Sequence, residues 1–146
     1  MEQPQDAGML VALGAGPGTR IAVIDRFVHG NGTLYLASES ASIGSDGTVE
    51  AGLLRTEMSA TGARLLCVDT SPIGVARRIR TDVPIPQSYE AVLDAALLAN
   101  GDGLMLHSDT DWIILTRTEV RSALTRRRRL ATKAAASAAG TPDRQP

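Results

Sequence analysis

Apolar residues along this chain fall into short clusters separated by glycine-rich and polar stretches, and their spacing predicts the elements. Met9 to Leu13 reads as a short strand, and Gly14-Ala15-Gly16-Pro17-Gly18 as a turn. Thr19 to Val28 is rich in β-branched and aromatic side chains and reads as a second strand. Asn31-Gly32 then precedes Thr33 to Ser38, a combination that predicts a hairpin with a type I′ turn. In that register Phe27 faces Leu36, and Ile21, Val23, Phe27, Leu34 and Leu36 share one face. Asp25 falls on the same face, with Ser38 opposite as its hydrogen-bonding partner. A slip of one residue would instead turn Asp25 to water.

Glu39 to Gly47 reads as a loop, with Asp46-Gly47 as a second turn, and Thr48 to Met58 as strand. Ala63 to Asp69, with Leu65, Leu66, Cys67 and Val68, predicts a buried strand that Ser71-Pro72 interrupts. Gly74 to Val83 fits a strand or a short helix, and Pro84 and Pro86 mark an extended connector. A helix follows: Ser88 is its N-cap, Val92, Leu93, Ala95, Ala96, Leu97 and Ala99 keep helical spacing, and Asn100-Gly101 stops it. Gly103 to His107 and Trp112 to Leu115 are two more strands, with a turn at 108–111. Thr116-Arg117-Thr118-Glu119 matches a capping box and opens a helix from Arg117 to about Ala136 that ends at Gly140-Thr141-Pro142.

Grouped strands followed by helix, two strands and helix predict an α+β fold. The expectation is a small two-layer domain, a mainly antiparallel sheet with one internal helix and a C-terminal arginine-rich helix. The organisation expected is a flexible N-terminus at 1–7, one domain over 8–124, and a basic Ala/Arg-rich helical tail over 125–146, frayed at its end.

Of the 146 residues, 43% are hydrophobic and 21% charged, which excludes a wholly disordered or collagen-like chain. The longest small-apolar run, residues 7–16, is too short to span a bilayer, so no membrane span is expected. No basic segment precedes that run, and the single cysteine forms no internal disulfide; a cytoplasmic home is the expectation. Only Phe27, Tyr35, Tyr89 and Trp112 are aromatic, too few for the stacking platforms of single-strand RNA modules.

Charge is unevenly distributed. Residues 1–116 hold seven arginines and fourteen acids, net −7; residues 117–146 hold eight basic residues and two acids, net +6. The basic end concentrates in Arg126-Arg127-Arg128-Arg129, with Arg121 and Lys133 nearby. These six are the candidate binding residues, on a helix expected to leave the body near residue 125 because Arg127 and Arg128 interrupt the stripe Val120, Leu124, Ala131, Ala135. Guanidinium groups fork onto phosphates, so the first reading is a non-catalytic module that contacts nucleic acid through its backbone, without base readout. The alternatives are a structural or adaptor subunit that self-assembles or docks an acidic protein surface, the chain's own body included, and a small enzyme without a recognisable motif.

Other sites fare less well. The loop 14–19 lacks the Gly-Lys-Ser/Thr of a P-loop and leads into an expected strand rather than a helix, so a β-turn is the better reading and no cofactor is expected. His107, Asp109 and Asp111 alternate, but aspartates in 108–111 suit a turn better than a metal. Cys67 lies in Leu-Leu-Cys-Val, the setting of a small core residue rather than a nucleophile.

Overall fold

The segment expected to open the fold as strands is helical instead. In the computed structural model, which describes residues 5–39, 41–43, 46, 49–51, 53–98 and 101–140, helix α1 spans Ala7–Leu13 and α2 spans Thr19–His29. Asp6 caps α1 by accepting from the Met9 N–H at 3.0 Å. Gly16–Gly18 form a 3-10 turn between the two helices. Thr19 ties back to it through a 2.7 Å hydroxyl bond to the Gly16 carbonyl. Both helices bury one face: Met9, Ala12 and Leu13 from α1, and Val23, Phe27 and Val28 from α2. Asn31-Gly32 therefore joins a helix to a strand, and the expected hairpin does not form.

The remaining elements follow the expected order. Strand β1 is Thr33–Ser38, β2 Ala41–Ile43, β3 Val49–Ala51, β4 Thr56–Met58 and β5 Arg64–Asp69. Helix α3 is Pro72–Arg78, capped by Ser71; this resolves the ambiguous stretch after Ser71-Pro72 as a helix. Strand β6 is Val83–Ser88, so the proline-bracketed connector is a true strand. Helix α4 is Tyr89–Leu97, with Ser88 as its N-cap. Strands β7 and β8 are Gly103–His107 and Trp112–Thr116, and α5 runs Arg117–Gly140. Gly47, Ala99, Asn100, Thr141 and Pro142, parts of the expected turns and helix ends, lie outside the described residues.

The fold is mixed α and β, with a mostly antiparallel six-stranded sheet ordered β6-β1-β5-β7-β8 and β4 paired to β5. Only β5 and β7 run parallel. β1 pairs with the end of β5 and β4 with its start, so β1 and β4 lie end to end along one strand. The small β2–β3 pair is an excursion between them, closed by a bridge between Ser38 and Leu54. β6 is an edge strand, where proline is tolerated because only one side of the ladder needs donors.

Alternation divides the sheet into two faces. The inner face, Leu34, Leu36, Leu66, Val68, Leu104, Leu106, Ile113 and Leu115, is buried against α1, α2, α4 and α5. Burying each such side chain stabilises the fold by about 1.5–3 kcal/mol. On the outer face Val75 of α3 covers Tyr35 and Ala37. The expected internal helix is α4; α1 and α2 join it because Met9, Phe27 and their neighbours serve the core at helical spacing, and α3 lies on the other face of the sheet.

Candidate functional site

Helix α5 begins as its sequence predicts. The Glu119 N–H donates to Thr116 Oγ1 at 3.2 Å, and the Thr116 N–H donates to Glu119 Oε1 at 2.9 Å. Burial works against the Glu119 charge, but these bonds and Arg20, paired at 2.7 Å, hold its carboxyl below the usual range. Val120, Ala123 and Leu124 are buried between the other helices.

Contrary to expectation, the body does not release α5 at residue 125. Arg127 Nη1 donates to the carbonyls of Phe27 at 3.0 Å and Gly30 at 2.6 Å, and its Nη2 to Asn31 Oδ1 at 2.7 Å. Its guanidinium also lies 5.8 Å from the centre of the Tyr89 ring. The physical reason is that the last carbonyls of α2 have no partner within their own helix and carry its negative pole. Arg128 faces α4, with Glu90 at 3.8 Å and Asp94 at 3.6 Å, both pairs half exposed and therefore weak.

The other four candidates are solvent-exposed, and among the described residues none makes an ion pair. Arg126, Arg129 and Lys133, spaced three and four apart, form one stripe on the side of α5 away from Val120, Leu124 and Arg127. Arg121 lies seven residues before Arg128, on that flank instead. Residues 131–138 are exposed all round, so the helix outruns the body. No helix among the described residues is long and apolar enough to cross a membrane singly.

The second polar cluster lies on the outer sheet face at the ends of β5 and β7. Asp69 is buried, accepts from the Ser71 N–H at 3.1 Å and lies 3.3 Å from Arg78 Nη2. Burial raises its carboxyl pKa, against the pull of the Ser71 N–H and Arg78. His107, its register partner, is held below the ordinary imidazole value by burial and by Arg78. Burial likewise pushes the Cys67 thiol up, as befits a core cysteine. Among the described residues Thr70 Oγ1, His107 Nε2 and Arg78 Nε are buried without a hydrogen-bond partner, and Arg78 Nη2 has only its ion pair with Asp69.

The remaining candidates scatter. Asp25 sits exposed on α2, 3.6 Å from His29 one turn on, and not opposite Ser38. Residues 108–111 form the expected turn, with the Ser108 N–H bonded to the Asp111 carbonyl at 2.8 Å, and Asp109 pairs with Arg77. Among the described residues no three His, Cys, Asp or Glu side chains gather as metal ligands.

Sequence reasoning missed a groove of about 580 Å³ on the outer face, between the 59–63 turn and β8, with Leu65, Met105, His107, Trp112 and Ile114 in its walls. Its one signal was the alternation of Trp112 and Ile114 with the buried Ile113 and Leu115. No protein-family model, curated protein or solved structure matches the chain.

Proposed function

We propose that the protein is a non-catalytic binding module that engages duplex nucleic acid through phosphate contacts, made by Arg126, Arg129 and Lys133 with Arg121 assisting from the flank. The supporting observation is the division of labour within the arginine run. Arg127 is bonded to the end of α2 and Arg128 leans weakly on the acids of α4, while the other two share an exposed stripe with Lys133 on a helix that extends past the body. Unpaired guanidinium groups repel one another, and phosphates relieve that repulsion while releasing condensed counterions. Contacts made only to phosphates carry no base information, so binding through this stripe is independent of base sequence.

Fluorescence anisotropy with a labelled duplex tests this. Three phosphate contacts give a log–log salt slope of about −2.7, so affinity falls about forty-fold between 50 and 200 mM salt. The combined Arg126→Glu, Arg129→Glu and Lys133→Glu variant loses binding while its unfolding midpoint stays unchanged. Absence of binding at 50 mM salt, or equal binding by that variant, overturns the reading.

A further inference from the structure

We propose that the groove beneath Trp112 is a binding site for a small organic cation with an apolar body. The register places Trp112 and Ile114 of β8, Met105 and His107 of β7, and Leu65 of β5 on the outer face of the sheet. Helix α3 covers the neighbouring part of that face over Tyr35 and Ala37 but leaves the β7–β8 part open. Trp112 is 62% exposed, so most of its apolar surface is not used by the core and is available to an occupant of the groove it lines. The groove's volume, about 580 Å³, falls in the range of small-molecule sites.

Charge selects the ligand. Among the described residues Asp102 is the one acid in the groove wall, beside the titratable His107. Its Oδ2 accepts from the Arg64 N–H at 2.8 Å, which fixes the carboxylate in place. Glu57, the register partner of Leu65, adds negative charge near His107, although burial and Arg78 outweigh it at that imidazole. Among the described residues neither acid makes an ion pair. The cations of α3 are engaged elsewhere, Arg77 with Asp109 and Arg78 with Asp69. The one cation whose field reaches His107 in the groove wall, Arg78, is already paired with Asp69, so an anion would find no free counter-charge here, and a neutral apolar molecule would strip water from Asp102 without replacing it. An ammonium or guanidinium on a hydrocarbon stem satisfies the carboxylate, and the indole adds a cation–π attraction.

Trp112 is the chain's only tryptophan, so its fluorescence reports this groove alone. The full-length protein is titrated at neutral pH with three matched probes: phenethylammonium, 2-phenylethanol and 3-phenylpropanoate. The expected result is a saturable change with the ammonium, roughly five- to tenfold tighter than with the alcohol, and none with the carboxylate. Asp102→Asn, which keeps an oxygen for the Arg64 N–H, brings the ammonium to the affinity of the alcohol without moving the unfolding midpoint. Ala60→Arg, at an exposed position of the adjoining turn, abolishes ammonium binding. The proposal is overturned by the absence of a saturable signal with the ammonium, by equal or tighter binding of the alcohol or carboxylate, or by unaltered ammonium affinity in both variants.

Discussion

Arg127 caps the C-terminus of α2 through Gly30, whose carbonyl oxygen lies 2.6 Å from its Nη1. One residue earlier, Arg126 makes no ion pair among the described residues and is open to solvent. Adjacent members of a four-arginine run thus belong to different parts of the molecule: one to its interior scaffold, the other to its outer surface.

Substituting them one at a time separates the two roles. Arg127→Ala removes three charge-assisted bonds and the contact with Tyr89, and is expected to cost about 2–3 kcal/mol in urea unfolding. Arg127→Lys recovers only part of this, because an ammonium cannot fork onto two carbonyls and a side-chain amide together. Arg126→Ala and Arg129→Ala change stability by less than about 0.5 kcal/mol.

A second prediction concerns the open margin of β8. Arg20 Nη1 donates to the Ile114 carbonyl at 3.0 Å, and Glu119 accepts the Thr116 N–H at 2.9 Å, so side chains occupy ladder positions on this edge. Removing them together, by Arg20→Ala and Glu119→Ala, loses the capping box and about 1 kcal/mol. It also frees the edge for pairing, and concentration-dependent association is expected in light scattering where the parent shows less.

The pH dependence of stability carries the signature of His107. Its imidazole is held below its ordinary value of 6.5, chiefly by burial. Below pH 6.5 the unfolded chain takes up a proton that the folded chain refuses, so stability falls as pH drops through that value. The loss is complete once pH passes the lower folded value. Asp69 acts oppositely: its raised pKa makes the folded state the better proton acceptor, a contribution fully present below 3.8 and lost as pH rises from there through the raised folded value. His107→Leu is expected to remove the decline that begins near pH 6.5, measured by thermal unfolding across a pH series.

Gly103 opens β7 with φ at +135°, and a methyl group there would overlap the Leu115 carbonyl oxygen. Both faults act together, so Gly103→Ala is expected to cost more than about 2 kcal/mol, read from the denaturant midpoint.

The strands β1, β5, β7 and β8, the helix after Ser88 and the capping box at Thr116 were legible because local signals and burial agree there. The first thirty residues were not. Ile21, Val23, Ile24 and Val28 favour extended chain, yet Val23 and Phe27 stand four apart and bury one helix face, and tertiary packing overrides propensity. Asn31-Gly32 misled for a related reason. Gly32 serves close approach rather than a hairpin, since a side chain there would overlap the Asp6 carboxylate, which accepts from the Tyr89 hydroxyl. Arg127 could not be sorted from its neighbours because its acceptors lie about a hundred positions away in the chain. The burial of Cys67, by contrast, was legible from its apolar neighbours alone.

The β2–β3 excursion leaves and rejoins the sheet at one point, where Ser38 faces Leu54 and the Arg55 N–H meets the Ala37 carbonyl at 2.7 Å. Departure and return at a common doorway uncouple whatever the chain does in between from the alignment of the strands on either side. This is where the protein can gain or lose length, or accept a grafted peptide, while the rest of its architecture stays as it is.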